Sequence, residues 1–273
     1  MRDRILKSSG EVQDQATIAW NLFSALYYKA GGTPWSMPLV SGQPSCYAGI
    51  SFYRSRDYET LQTSIAQIFN EFGNGVILRG EPVTVYSSDR SPHLSKGEAF
   101  ELLDSAISEY KIAVGSVPAR LVLHKTSSFS KEEVDGLVDV CKDKYGIKSL
   151  DLVTVGSSND FRIYRNGLFP PRRGTHIEID KRRHILYTKG SVDLYKTFVG
   201  KYPPAPLEIH IYYCDTSPSL IVEEILALTK MNWNNMNFEK KWPITIECSR
   251  KVGDVLKYLD ENTPEQQKYS YYM

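Results

Sequence analysis

The fold class is decided by SKGEAFELLDSAISEY (residues 95–110), RLVLHKTS (120–127) and LDLVTVGSS (150–158). The first segment has apolar residues at helical spacing, and Ser95 with Glu98 three residues later predicts a capping box at its start. The other two are short aliphatic and β-branched runs, typical of buried strands. A second capped helix, over residues 130–145, separates these strands. Strand, helix and strand in succession predict an α/β sheet with helices packed on its faces.

The same periodicities extend outward from this centre in both directions. Residues 13–30 have helical spacing and end at Gly31–Gly32, a pair typical of a helix C-terminus. Further elements are predicted from hydrophobic patterning and turn residues. They are a strand CYAGISFYR (46–54), a hairpin GVILRGEPVTVY (75–86) broken at Gly80 and Pro82, a hairpin GTHIEIDKRRHILYTKGS (174–191) turning near 180–182, a helix SLIVEEILALTKMNW (219–233), a strand PITIEC (243–248) and a helix SRKVGDVLKYL (249–259).

Composition excludes several classes of protein. The chain has 273 residues, 41% of them hydrophobic and 24% charged, which is ordinary for a soluble globular protein. It contains no apolar run of the roughly 18 residues that span a bilayer, so no membrane association is expected. The four cysteines have no metal-ligand spacing, which predicts reduced thiols in a cytoplasmic protein and no zinc site.

The formal net charge of +1 means that any nucleic-acid surface has to come from local clustering of cations. Short basic runs are usually solvated loops, so these runs alone do not establish such a surface. The candidate runs are Arg172–Arg173, Lys181–Arg182–Arg183, Lys240–Lys241 and Arg250–Lys251.

Several blocks of the chain resemble one known family when they are taken in order. The blocks are NLFSALYYKAGGTPW (21–35), CYAGISFY (46–53), PARLVLHKTSSFSKEE (118–133), RRGTHIEI (172–179), ALTKMNWNN (227–235), PITIECSRKVGDVLKYL (243–259) and the terminal YYM (271–273). Together they resemble the PIWI domain of prokaryotic Argonautes, in a catalytically inactive bacterial branch. The resemblance runs from near residue 13 to residue 273.

This resemblance implies a fold and a domain division. The fold is RNase H-like, with a mixed central sheet flanked by helices, in agreement with the α/β class predicted from the patterning. Residues 1–30 correspond to the C-terminal end of a MID domain and the junction helix, and residues 31–273 to the PIWI domain. The rest of MID and the N-terminal and PAZ regions of full-length members have no counterpart in this sequence.

The resemblance also locates the nuclease site of active relatives, whose carboxylates hold two divalent metals for attack of water on a phosphodiester. The first aspartate falls at Ser51, the second at Thr126, and the last aspartate or histidine at Arg250, seven residues after the proline of PITIEC. Two hydroxyls and a guanidinium cannot hold those metals, so the resemblance implies that no catalytic residue is present and that the chain is not an enzyme.

The fourth acidic position of active relatives stays open between two residues. Glu81 in the predicted hairpin and Glu98 at the start of the first helix are both candidates, and each also fits an ordinary surface or capping role. Asp57, six residues after Ser51, is better interpreted as a solvated turn residue than as a substitute ligand.

Guide and target contacts are carried over from the family residue by residue. Lys29, directly before Ala30 and Gly31–Gly32, corresponds to a lysine that contacts the 5′ phosphate of the guide. The terminal carboxylate, here that of Met273, corresponds to a ligand of a structural Mg²⁺ beside that phosphate. Contacts to the sugar–phosphate backbone of guide and target are expected from Arg172, Arg173, Lys189, Arg250 and Lys251.

Three functional hypotheses follow from these residues. The leading one is guide-dependent binding, with an RNA (or DNA) guide and a complementary DNA target, in host defence against plasmids or phages through a separate effector protein. The second is a divergent metal-dependent guided endonuclease. The third is a half-protein that mainly binds a MID-bearing or effector chain, which predicts a large exposed apolar patch near the N-terminal helix.

Overall fold

One eight-stranded mixed sheet forms the centre of this computed structural model. The structure describes residues 14–37, 45–54, 61–69, 77–83, 91–193, 198, 202–233 and 240–258. The strands are β1 (Ser45–Arg54), β2 (Leu61–Phe69), β3 (Ile77–Val83), β4 (Arg120–Lys125), β5 (Ser149–Ser157), β6 (His176–Glu178), β7 (Arg183–Leu186) and β8 (Leu207–Cys214). Their spatial order is β3-β2-β1-β4-β5-β8-β7-β6. The predicted mixed sheet flanked by helices is therefore confirmed.

The three central strands are parallel and the outer strands are antiparallel. β1 pairs with β4, and β4 with β5, in parallel, whereas β2, β3, β8, β7 and β6 continue the sheet in antiparallel pairs. Parallel strands need crossover connections, which here contain helices. Because β1, β4 and β5 run in the same direction, their carboxyl ends meet at one edge of the sheet, where ligands commonly bind in α/β folds.

Helices cover both faces of the sheet. They are α1 (Gln15–Lys29), α2 (Lys96–Val114), α3 (Lys131–Val138) continued by a π-helical turn (Asp139–Lys144), α4 (Pro218–Leu228) and α5 (Ile244–Leu256). α2 and α3 begin at the predicted capping boxes of Ser95 with Glu98 and of Ser130 with Glu133. Their apolar residues pack with those of β1, β4 and β5 that point to the same face, including Ile50, Leu121 and Leu123.

The opposite face of the sheet is covered by α4 and α5. Val153, Val155 and Ile209 pack against α4, and Tyr47, Tyr53 and Val122 pack against α5. No helix in the described part of the chain is long and apolar enough to cross a membrane.

The predicted strand PITIEC is wrong, because these residues form the first turns of α5. Pro243 has φ −61 and caps a helix that begins at Ile244. Ile244, Cys248, Val252 and Leu256 recur every fourth residue and are fully or almost fully buried. Packing of this stripe on the sheet outweighs the strand propensity of the β-branched residues at its start.

The predicted hairpin over residues 75–86 is also wrong within its described part. Residues 77–83 form the single edge strand β3, which pairs antiparallel with β2, a strand that the sequence patterning did not indicate. Gly80 and Pro82 lie inside this strand. A proline is tolerated there because an edge strand has one side free of ladder hydrogen bonds. Residues 75–76 and 84–86 of the predicted hairpin lie outside the described residues.

A buried ionic network holds α4 to the sheet near the amino ends of β4 and β5. The Arg120 guanidinium donates to both Glu224 carboxylate oxygens, at 2.5 and 2.9 Å, and to Asp151 Oδ2 at 2.8 Å. Tyr47 Oη donates to Glu224 Oε1 at 2.9 Å. A buried charge needs this density of partners to compensate for lost hydration. The network connects α4 to the end of the sheet opposite to the carboxyl ends of β1, β4 and β5.

Candidate nucleic-acid interface

Four cations converge at the carboxyl end of β5. Lys241 Nζ donates to Ser157 Oγ at 2.5 Å, at the last residue of that strand. Burial, and then the positive charges of Arg162, Lys189 and Arg250, lower the pKa of Lys241 below the ordinary value for lysine. The three neighbouring cations therefore act on Lys241 in the same direction as burial does. These four residues are referred to below as the cationic cluster.

The cluster is assembled from separate segments by specific contacts. Thr188 Oγ1 donates to the Lys241 carbonyl at 2.7 Å, which brings the neighbouring Lys189 to the residues before α5. The Arg250 guanidinium lies 4.2 Å from the centroid of the Trp242 ring, and Lys241 Nζ lies 5.3 Å from it. Burial partly desolvates Arg250 and lowers its pKa below the ordinary value for arginine.

Arg162 is held by the backbone that follows β5. Its guanidinium donates to the carbonyl oxygens of Ser158 at 2.8 Å and of Phe161 at 2.7 Å. The Ile163 amide donates to Tyr187 Oη at 2.8 Å, which fastens the same loop to the residue after β7. The Arg162 side chain is therefore fixed at the edge where β5 ends.

The chemistry of the cluster favours an anion. Within the part of the chain that the structure describes, its four cations have no carboxylate partner, and their mutual repulsion is relieved when a negative charge binds among them. Lysine and arginine at such a site bind phosphate oxygens by charge-assisted hydrogen bonds. Across the described ranges, no group of three or more His, Cys, Asp and Glu side chains is arranged to hold a metal ion.

Ser51 and Thr126 lie side by side at this edge. Ile50 is in register with Lys125, the last residue of β4, so Ser51 in β1 and Thr126 directly after β4 are the next residues along the two segments. Ser51 is 3% exposed. Gly49 packs on the backbone of Thr245, and a Cβ at Gly253 would meet Tyr53 at 3.0 Å. Since residues 49, 51 and 53 share one face of β1, Ser51 lies beneath the middle of α5 and is closed to solvent.

The other predicted cations take different positions. Arg172 pairs with Asp193 at 3.1 Å, and Lys251 with Glu247 at 3.5 Å. Arg173 donates to the carbonyls of Thr188 and Leu226 and to Thr229 Oγ1, so it joins the loop before β6 to the end of α4. Arg172 and Arg173 also line a cavity of about 670 Å³ beside Trp35, Met37 and Met231.

The remaining predicted residues are partly outside the described ranges. Lys29 is the exposed last residue of α1. Glu98 Oε2 accepts the Ser95 amide at 2.7 Å, which supports its interpretation as a capping residue. Glu81 lies in β3. Met273, proposed for the 5′ phosphate and for Mg²⁺, and Asp57 lie outside the described residues.

Sequence reasoning missed half of the cationic cluster. Lys189 and Arg250 were predicted as backbone contacts, and both belong to it. Lys241 was visible only as one of several basic pairs, and Arg162 was not singled out. The usable signal for Arg162 was the alternation of aromatic and basic residues in FRIYR (161–165), directly after the strand β5.

A second surface feature is the outward face of α1. Its large apolar side chains are 37% to 67% exposed; they are Ile18, Trp20, Leu22, Phe23, Leu26 and Tyr27. Ser24, by contrast, is buried, and Tyr28 packs on Trp233 with ring centroids 4.7 Å apart. α1 thus packs on the rest of the chain through Ser24 and Tyr28 and leaves the large apolar side chains named above exposed; they are called the α1 apolar face below. The third hypothesis, a half-protein that binds another chain, predicts an exposed apolar patch near this helix, and the exposed side chains of α1 agree with that one expectation.

Comparison with known proteins identifies the fold. No family model matches the sequence, and no curated protein matches it. Among solved structures, the chain is similar to the Clostridium butyricum Argonaute bound to a guide DNA and a 19-mer target DNA, with a TM-score of 0.73 and 19% identity over 95% of this chain and 33% of that one. It is also similar to the A. aeolicus Argonaute (TM-score 0.71, 19% identity, 99% and 36% covered) and to Drosophila Piwi (TM-score 0.71, 15% identity, 98% and 37% covered).

These similarities show an Argonaute-like fold of the RNase H-like PIWI type. The chain spans about a third of the length of the solved chains it matches.

Proposed function

We propose that this chain is the PIWI part of a nuclease-inactive Argonaute, which holds a guide strand and its target by their backbones without cutting the target. The observation that carries this proposal is the cationic cluster. Arg250, at the position where the family resemblance places the last catalytic residue, belongs to a group of four cations that repel one another and attract phosphate. A guanidinium there binds the backbone directly, where active relatives use metal ions.

Two further observations support the absence of cleavage. Ser51 is buried beneath α5 and offers a hydroxyl where a metal would need a solvent-accessible carboxylate. Thr126 follows the end of β4 beside it and offers a second hydroxyl. Contacts from the cluster to phosphates depend on charge and shape and do not distinguish sequences, so base pairing between guide and target provides the specificity.

The finer assignments rest on the resemblance described above. They are an RNA (or DNA) guide with a DNA target, a cytoplasmic role in defence against plasmids or phages, a separate effector, and the division at residue 30 into a MID remnant and a PIWI domain. Lys29, exposed at the end of α1, is proposed to contact the guide 5′ phosphate. The structural Mg²⁺ proposed at the carboxylate of Met273 falls outside the described residues, so backbone binding is proposed without it.

The test is a combined binding and cleavage assay on the full chain. It uses 5′-phosphorylated RNA or DNA guides and a labelled complementary DNA strand, with Mg²⁺ or Mn²⁺, over a series of salt concentrations. We expect binding with an intact target. Lys241→Ala and Arg250→Ala should each weaken binding and flatten the slope of log affinity against log salt by about one.

Lys111→Ala is the matched control for these variants. It removes a cation from the last turn of α2, on the opposite face of the sheet, and should leave the salt slope unchanged. Target cleavage that a chelator abolishes would show that carboxylates elsewhere hold the metals and that the chain is a nuclease. Wild-type binding with no change in either cluster variant would remove the cationic cluster from the interface.

The α1 apolar face favours a second function, in which this chain mainly binds a MID-bearing or effector chain. Exposed apolar patches of this kind mark protein interaction sites. Under this second function the isolated chain should bind nucleic acid poorly, and Leu22→Lys with Phe23→Lys should abolish co-purification with such a chain. Suppose that nucleic acid binds only to the two-chain complex and that this variant abolishes the binding. The main role of the chain would then be to bind its partner chain.

A further inference from the structure

A small aromatic cavity lies beside the cationic cluster. Its volume is about 230 Å³, and its walls include Tyr164, Leu168, Phe169, Phe198 and Tyr202. Three of these side chains are strongly exposed: Tyr164 at 75%, Leu168 at 96% and Tyr202 at 80%. Soluble proteins seldom leave several large apolar side chains open around one cavity unless they bind something there.

The cavity adjoins the cluster through two segments of the chain. Arg162, a member of the cluster, is two residues before Tyr164 in the loop after β5. On the other side, the Ser191 amide donates to the carbonyl of Pro171, a wall residue, at 3.0 Å. Lys189, another member of the cluster, is two residues before Ser191. The cavity and the cluster therefore lie on neighbouring segments, within reach of one bound strand.

We propose that the aromatic cavity binds one unpaired nucleobase of a nucleic-acid strand whose phosphates contact the cationic cluster. This inference rests on the proposed function, since it requires a bound strand. Aromatic faces stack on any base, because every base has a π-face. The prolines in the cavity wall have a fixed φ, so little conformational freedom is lost when a base enters.

Charge favours a nucleobase over a peptide as the occupant. Among the described wall residues none is acidic, and Arg165 lies at the cavity with its guanidinium donating to the Phe169 carbonyl at 3.3 Å. Together with Arg162 and the other cluster cations, this makes the surroundings positive. A base carried on a phosphate backbone complements both the apolar walls and this charge.

The test uses guide–target duplexes in which the DNA target carries a single bulged nucleotide, placed at each position in turn. The bulge is either 2-aminopurine, whose fluorescence falls when it stacks, or an abasic sugar. For the wild-type full chain, we expect the base-bearing bulge to bind about tenfold more tightly than the abasic one at a restricted set of positions, with quenched fluorescence.

Tyr164→Ala with Tyr202→Ala should remove both the preference and the quenching, and Tyr164→Phe with Tyr202→Phe should retain them. Tyr258→Ala is the control, because Tyr258 is 69% exposed but does not line the cavity. Equal affinity for base-bearing and abasic bulges at every position would overturn the proposal. So would an alanine variant that weakens both duplexes equally, which indicates a structural role, or one that loses only a protein partner, which assigns the cavity to a peptide.

A wild-type chain that binds no duplex at all would instead overturn the proposed function, and with it this inference. Duplex binding that depends on Lys241 but not on the bulged base would leave the proposed function standing and remove the nucleobase site alone.

Discussion

At the scale of single residues, the buried cations and the cations of the cationic cluster have different hydrogen-bond partners. Lys125 is fully buried and donates to Glu133 Oε1 at 2.5 Å, and Arg120 is enclosed by Asp151 and Glu224. Lys241, only partly buried, has a serine hydroxyl as its hydrogen-bond acceptor. The buried cations are thus neutralised within the fold, whereas the cluster cations keep charge that an external anion can neutralise.

His124 gives a prediction at the residue scale. It is fully buried, and its Nδ1 lies 2.8 Å from Thr245 Oγ1. Burial, reinforced by the positive charge of Arg120, lowers the pKa of His124 from 6.5 to about 3. Between pH 6.5 and pH 3, His124 therefore binds a proton in the unfolded chain but not in the folded chain. Its contribution to the free energy of unfolding is complete above pH 6.5 and is lost as the pH falls toward 3.

We expect this histidine to remove about 2 kcal/mol from the free energy of unfolding between roughly pH 6 and pH 4. Denaturant unfolding of the wild type and of His124→Gln at both pH values measures the difference. The glutamine variant should lose less stability over this interval, by about that amount. Parallel pH profiles for the two proteins would contradict a neutral, buried His124.

At the scale of elements, the placement of α5 decides the site. The helix crosses β1 closely enough for Gly49 to touch its backbone, and it carries Arg250 to the edge where β5 ends. The close approach requires a residue without a side chain, because a Cβ at Gly49 would lie 2.4 Å from the Thr245 carbonyl oxygen. The packing of α5 on β1 therefore both covers Ser51 and leaves Arg250 at the exposed side of the helix.

Gly49→Ala is expected to destabilise the protein by about 1–3 kcal/mol, because the added methyl group overpacks the contact between β1 and α5. Gly97→Ala is the matched control. A Cβ at Gly97, in the first turn of α2, meets no atom within 4 Å, and the change should stabilise by about 0.5–1 kcal/mol. Equal stability of the two variants in urea unfolding would show that α5 does not pack closely on β1.

At the scale of the whole molecule, charge is local rather than global. The net charge is only +1, yet burial and three neighbouring cations lower the pKa of Lys241. An overall polycation would attract any anion at long range, whereas this distribution confines attraction to one edge of the sheet. Such a charge distribution is expected for a protein that binds a nucleic-acid strand at one defined position on its surface.

The lowered pKa of Lys241 predicts a pH dependence of binding. A bound phosphate favours the protonated amine, and the free protein loses that proton below the ordinary lysine pKa, so affinity should fall as the pH rises toward that ordinary value. Lys241→Arg keeps its charge over this range and should give a flatter profile. Fluorescence anisotropy at constant ionic strength measures both, and identical profiles would exclude Lys241 from the contact.

The sequence by itself determined the local elements and the fold class. Capping, periodicity and turn chemistry act between residues that are close together in the chain. They were enough to predict the capping boxes at Ser95 and Ser130, the strands β4 and β5, and the β6–β7 hairpin. The alternation of these elements was enough to predict the α/β sheet.

Only the tertiary structure decided the site. β2 and β8 were not predicted, although the residues of β8 alternate between more and less buried positions, as a strand pattern does. The start of α5 resembled a strand, because its β-branched residues adopt a helix through packing on the sheet. The contact of Lys241 with Ser157 joins residues 84 positions apart, and that of His124 with Thr245 joins residues 121 apart. Pairing over such separations depends on long-range packing, which no local pattern encodes, so the cationic cluster exists only in the folded chain.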